Sequence, residues 1–256
     1  MPELRAILTY HSIDESGSVV SLSPDAFRAH LRSLFERGIQ TATPERLLSN
    51  ERLDPAHPAA ALTFDDGFDN FYTHALPILD EYQVKATVFV VPGFCGQVSG
   101  WADQFPQHSS RRLMTWSRIE EIRRAGIAIG AHSMTHADLT NLSIEEARQE
   151  ILDSKRAVED KIGDAVTAFA YPYGAESPEL NAVVAEHFVV GCSTRMGYLK
   201  PEDRPENLPR LDAYYLRDIF WFRRLFRGTT NAYLSLRAGL RDARLRQWKR
   251  RAPRQA

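Results

Sequence analysis

The sequence predicts an α/β fold built on a parallel sheet. Short apolar runs alternate with helical stretches, the runs are apolar along their whole length, and the candidate functional residues fall where the runs stop. Strands that are apolar throughout are buried on both faces, as they are when helices cover both sides of a parallel sheet. Ala6–Tyr10 is the first strand. A helix is expected over Pro24–Arg37, with Ser23 as cap, Pro24 in a first turn that needs no N–H, and Gly38 as stop. Thr43-Pro44-Glu45 opens a second, shorter helix in the same way. Ala60–Phe64 is a buried strand, and Asn70–Tyr82 a helix that Pro77 should kink. Ala86–Val91 is the strongest strand and ends at Pro92-Gly93; Gly96–Arg112 is polar and expected to be a long loop. Helix Trp116–Ala125, closed by Gly126, leads into strand Ile127–Gly130. Ser143 and Glu146 form a capping box that opens a helix to about Ile162. Strand Val166–Tyr171, helix Ser177–Glu186 and strand Phe188–Cys192 complete the alternation.

Composition narrows the function classes. The 256 residues are 43% apolar and 25% charged, enough to bury a core without a disulfide or metal staple. Cys95 and Cys192 lie far apart in apolar settings and make neither a disulfide framework nor a paired thiol site. A net charge of -1 argues against general nucleic-acid binding, and no run of apolar residues is long enough to span a membrane. The start, Met1-Pro2-Glu3-Leu4-Arg5, lacks the pattern of a secretory signal, so a cytoplasmic location is expected. The balance hides an asymmetry: residues 217–256 carry twelve Lys or Arg against two Asp, together with Phe220, Trp221, Phe222, Leu225 and Phe226. We therefore divide the chain into an α/β domain over 1–216 and a basic, aromatic-rich helical tail over 217–256. The tail suits an anionic membrane surface or a lipid-linked ligand, or else it is a packed helix with a solvated basic face.

Four clusters sit at strand ends. Thr63-Phe64-Asp65-Asp66-Gly67 runs an apolar strand into two carboxylates, either a reactive pair or a turn with a helix cap. His132-Ser133-Met134-Thr135-His136 puts two histidines on one face if the segment is helical, which suits a metal pair, although this spacing also arises by chance. Tyr171-Pro172-Tyr173-Gly174 is a rigid turn, and Tyr10-His11-Ser12 ends the first strand. Each alone reads at least as well as local structure. In parallel α/β folds, however, the C-terminal strand ends form the rim where active sites assemble.

These motifs, in this order, resemble the polysaccharide deacetylase family, also called the NodB-homology domain, over roughly Leu4–Tyr214. The resemblance implies a distorted (β/α)7 barrel and metal-dependent removal of an N-acyl group from a sugar. It implies that Asp66, His132 and His136 ligate a divalent metal, that Asp65 is the general base, and that the Tyr173 backbone N–H serves an oxyanion hole. Zinc is the default for such ligands, and cobalt or nickel would fit them as well. Two departures matter: the arginine usual two residues before the motif proline is replaced by Ala170, and no histidine follows His187. Both resemble the poly-N-acetylglucosamine deacetylase subgroup, in which the acid comes from an N-terminal Tyr-His, here His11. Arg210 is the candidate replacement arginine beside Asp65; with Pro172 and Trp116 it is also grouped with the substrate-binding residues. The expected substrate is an N-acetylated amino sugar in a polysaccharide, an oligosaccharide or a lipid-linked glycan. Deformylation or non-sugar amide hydrolysis on the same fold, and carbohydrate binding without catalysis, are the alternatives.

Overall fold

The computed structural model describes residues 4–49, 51, 53–101 and 110–251, with side chains as far as 240. Its strands are β1 (Arg5–Tyr10), β2 (Ser12–Ile13), β3 (Ser21–Leu22), β4 (Gln40–Ala42), β5 (Ala59–Phe64), β6 (Thr87–Val90), β7 (Ala128–Ala131), β8 (Ala168–Ala170), β9 (Val190–Met196) and β10 (Leu208–Asp212). Seven of them, in the order β1-β10-β9-β8-β7-β6-β5, form a parallel ring that closes where β5 pairs with β1. The barrel is thus the (β/α)7 type that the resemblance implies. The short β4 stays outside the ring: it pairs with Ala59–Ala61 of β5, and β6 takes the same edge at Thr63 and Phe64. β2 and β3 pair only with each other.

The helices are α1 (Pro24–Glu36), α2 (Pro44–Ser49), α3 (Leu76–Glu81), α4 (Trp116–Arg124), α5 (Ile144–Ile162), α6 (Pro178–His187), α7 (Ile219–Phe222) and α8 (Gly228–Arg251). Ser23 caps α1, and the capping box of Ser143 and Glu146 is formed in both directions at α5. The expected helix is continuous from Phe71 to Glu81, and its winding changes beside Pro77: Phe71–Ala75 forms a wide π-turn, and α3 follows with Pro77 in its first turn. Within the larger sheet, two strands escape the sequence pattern. β4 has no apolar run, and β10 contains Pro209 and Arg210, residues that argue against a central strand. A register shift between Leu208 and Arg210 in the β9–β10 pairing accommodates that proline.

Most of the core lies between ring and helices, and a smaller cluster that includes Ile7, Ala61, Phe89, Ala170, Cys192 and Leu208 fills the barrel. The first part of the region read as a tail packs on the barrel: Phe222 and Leu225 are fully buried, and Leu234 joins the same core. His30 of α1 stacks on Phe222 at 3.7 Å. This is the packed-helix reading for residues 219–234. The side chains of 241–256 and residues 102–109 of the expected loop lie outside the described residues. No helix among the described residues is long and apolar enough to cross a membrane.

Candidate active site

All ring strands run parallel, so their C-terminal ends meet at one rim. On β5 the side chains alternate: Ala59 and Ala61 belong to the inner cluster, and Ala60, Leu62 and Phe64 to the outer core. Thr63 and Asp65 continue the inner row. On β10, Leu208 is inner, and Arg210 follows it two residues on. Arg210 is buried inside the barrel. Its Nη1 and Nη2 each donate to one Asp65 oxygen at 2.7 Å, and its Nε donates to the Ser193 carbonyl at 2.9 Å. Nη1 also lies 3.3 Å from the Thr63 hydroxyl, and both partners of the pair are almost wholly buried. Arg210 therefore reaches Asp65 from β10. With its donors turned inward, it positions Asp65 and does not present itself to a substrate.

Asp66 is out of phase with the inner row, and alternation alone would aim it at the helices. A left-handed backbone, φ 70°, turns it to the same site as Asp65. His132 Nε2 and His136 Nε2 lie 3.5 and 3.2 Å from its Oδ1. The three donor atoms fall within 4.8 Å of one another, and all three residues are buried. The two histidines do not share a helix face as the spacing suggested. They sit on a turn in which Ser133 and His136 are left-handed, φ 58° and 62°. Met134 N–H donates to the Glu150 carbonyl, and Thr135 donates to the Glu150 carboxylate through both N–H and hydroxyl. Gly93 N–H donates to the Met134 carbonyl, and a Cβ at 93 would lie 2.6 Å from that oxygen, so the approach requires glycine. His132 Nδ1 lies 2.7 Å from the Ala170 carbonyl, which can only accept. The Nδ1–H is therefore committed to that carbonyl, and Nε2 is the nitrogen that faces Asp66.

The electrostatics match. Burial opposes ionisation of Asp65, but the Arg210 charge outweighs it and holds the carboxyl below its usual range. Burial opposes ionisation of Asp66 too, yet the hydrogen bonds with His132 and His136 keep its carboxyl well below that range. Burial pushes His136 toward its neutral form. One ionised carboxylate and two imidazole nitrogens, gathered at one buried point, suit a divalent ion such as zinc.

His11 follows the inner row of β1, and its Nε2 lies 3.8 Å from Asp65 Oδ2, with the side chain partly exposed. Pro172 and Tyr173 form a turn beyond β8; Tyr173 is left-handed, φ 56°, and its ring meets His136 edge-on at 4.6 Å. The sequence reading missed Trp101, which stacks on His136 at 4.3 Å and is nearly buried. Trp116 opens α4 and packs against the outer core. Nothing in the sequence distinguished the two tryptophans, because Trp101 lies in a stretch without periodicity. Of the six non-glycine residues with positive φ among those described, Asp66, Ser133, His136 and Tyr173 lie at this site. Such strain persists only where the surroundings over-determine it. Gly174 completes the last turn: its φ is 67°, and a Cβ would meet Thr194 Oγ1 at 1.9 Å and Cβ at 2.6 Å. Gly174→Ala is expected to lower stability by about 1–3 kcal/mol. The urea midpoint measures it, and an additional Thr194→Ala change should recover part of the loss.

The comparisons with known proteins agree with this geometry. A family model described as polysaccharide deacetylase matches residues 52–189, which hold both carboxylates, both histidines and the Pro172-Tyr173 turn. The chain belongs to the polysaccharide deacetylase family. YxkH of Bacillus subtilis (strain 168), which carries the name of a polysaccharide deacetylase, is 29% identical over 199 residues, 77% of this chain and 66% of that protein. The solved structure of the deacetylase PplD from Streptococcus pyogenes, in complex with acetate, matches with a TM-score of 0.69 and 26% identity. That match covers 83% of this chain and 93% of PplD. IcaB from Ammonifex degensii matches in fold with a TM-score of 0.72 at 22% identity, over 86% of this chain and 97% of that one. His11 and Arg210 lie outside the span of the family model, and both are brought to Asp65 by the closure of the ring through β1 and β10.

Proposed function

We propose that this chain hydrolyses the N-acetyl group of an amino sugar in a polysaccharide, an oligosaccharide or a lipid-linked glycan. The observation that carries this reading is a buried, ionised carboxylate fixed by an arginine, beside a separate Asp-His-His donor set. A binding module has no use for both. Asp66, His132 and His136 would hold the divalent ion, zinc by preference. When bound, such an ion supplies Lewis acidity to the amide carbonyl and to the attacking water. Asp65 Oδ2 accepts the water proton; it can do so because Arg210 keeps the carboxylate ionised and oriented. His11, within reach of Asp65 and open to solvent, protonates the departing amine nitrogen. The Tyr173 N–H donates to the developing oxyanion. Pro172, Tyr173 and Trp101 shape the rim against which the sugar lies. The named activity of PplD as a deacetylase supports the reaction class, and the poly-N-acetylglucosamine-type pattern of Tyr10-His11 supports the choice of acid. A cytoplasmic location, with the basic C-terminal region against a membrane surface, would give it lipid-linked glycans as substrates.

The test is acetate release from N-acetylglucosamine oligomers by metal-reconstituted protein, alongside Asp66→Asn. The wild type should bind one metal ion per chain and release acetate, whereas Asp66→Asn should lose most bound metal and turnover together. Formate release from N-formylated sugars with no acetate release would replace the reading with deformylation. Metal binding without turnover on any N-acylated sugar would remove it.

A further inference from the structure

α1 runs back from the catalytic rim to the other end of the barrel, about 20 Å along its axis for 13 residues at 1.5 Å each. At its far end, against the chain that follows α7, lies a cavity of about 350 Å³ lined by Ser33, Glu36, Arg37, Arg223, Arg224 and Arg227. Four guanidinium groups thus face one carboxylate. Glu36 lies 3.9 Å from Arg223, with both side chains exposed. Arg37 Nη2 donates to the Leu225 carbonyl at 2.7 Å, and Arg224 Nη1 to the Phe220 carbonyl at 2.9 Å. Among the described residues, Arg37, Arg224 and Arg227 have no acidic partner. Two buried polar atoms at the same cavity are also unsatisfied: the Ser33 hydroxyl, on a side chain almost wholly buried, and Arg37 Nη1. Burial together with the nearby Arg227 charge makes the Arg37 cation harder to hold.

We propose that this cavity is a binding site for a phosphate group, remote from the catalytic rim and separate from its chemistry. A carboxylate could satisfy one guanidinium fork; a phosphate offers enough oxygens for Arg37, Arg224 and Arg227 together. It would also neutralise the repulsion between Arg37 and Arg227. Beside the arginines, Phe220 is 48% exposed and lies beneath the Arg224 guanidinium at 3.6 Å. An exposed ring next to the cations fits a phosphate carried by a lipid headgroup as well as a soluble phosphate ester.

The full-length protein should be melted with increasing inorganic phosphate at ionic strength held constant with sodium chloride. Phosphate should raise Tm where chloride does not. Arg224→Gln/Arg227→Gln, which relieves the repulsion, should melt no lower than wild type without phosphate and bind phosphate roughly tenfold more weakly or worse. Glu36→Gln removes the only acid and should bind it more tightly. Acetate release should be unchanged in both variants, which keeps this test apart from that of the catalytic site. Sedimentation of wild type, but not the double variant, with phosphatidylglycerol vesicles and not with phosphatidylcholine alone assigns the phosphate to a lipid. A phosphate response without sedimentation assigns it to a soluble ester. Equal responses to phosphate and chloride, or equal responses in wild type and double variant, would overturn the proposal.

Discussion

Asp65→Asn is expected to abolish measurable acetate release, retain bound metal, and also destabilise the fold. The first two effects follow from its place: Asp65 is the proposed base, while Asp66, His132 and His136 form the donor set without it. Loss of a general base typically lowers turnover by about 10²–10⁴-fold. The third effect is specific to this chain. Arg210 is 2% exposed, and both of its terminal nitrogens are committed to Asp65. An amide in place of the carboxylate leaves a buried cation uncompensated, which costs roughly 3–5 kcal/mol. Arg210→Met alone strands the carboxylate and should destabilise to a similar extent. The double variant removes both charges together and should recover most of the stability but none of the activity. Urea midpoints for the four proteins form a double-mutant cycle. Additive losses of stability would show that the pair is not coupled as the geometry requires.

The second large effect is loss of stability in mild acid, carried by His30. This histidine is fully buried, with Nδ1 3.2 Å from the Tyr10 hydroxyl and Nε2 3.0 Å from the Leu216 carbonyl. The Leu216 carbonyl accepts from Nε2–H, so Nδ1 accepts from Tyr10 and the ring is neutral. Burial pulls its pKa down from 6.5 to about 3. A depressed histidine leaves the folded state neutral at pH values where the unfolded state already binds a proton. Its contribution is therefore complete above about pH 6.5 and is lost as pH falls toward 3, at roughly 1.4 kcal/mol per pH unit. His30→Gln, which keeps hydrogen-bonding capacity without titrating, should flatten this part of the stability profile. It should start lower at neutral pH because the stacking on Phe222 is gone. An unchanged acid slope in His30→Gln would assign the lability to other groups.

The sequence made the ring strands legible where they are apolar throughout, as in Ala59–Phe64 and Thr87–Val90, because burial on both faces leaves no polar position. It hid β10, whose Pro209 and Arg210 look like loop residues. Arg210 is there for its partner in the barrel, and only ring closure brings that partner near. The residues of the donor set were legible as types at strand ends. Their geometry was not: the left-handed turns at Asp66, Ser133 and His136 are set by tertiary contacts such as Gly93 with Met134 and Thr135 with Glu150. For the same reason the histidine pair looked helical from spacing alone. Trp101 could not be found, because its stacking on His136 depends on how a non-periodic excursion folds back. The cap at Ser143 was readable because capping is local.

The closure of the ring also has a consequence for synthesis. β1 is made first, yet its neighbours are β5, whose Ala61 pairs with Ile7, and β10, whose Leu211 pairs with Leu8 across most of the chain. A ribosome supplies the first partner early and the second last among the ring strands. Until Leu208–Asp212 emerges, one edge of β1 and one of β9 stay unpaired, and Arg210 has not yet reached Asp65. The nascent barrel is thus an open sheet with two sticky margins and a buried-to-be acid still facing water. Such long-range pairing is slow and exposes the chain to misassembly. Slowing translation just before residue 208 should therefore lower the yield of soluble protein, whereas a pause placed after residue 216 should not.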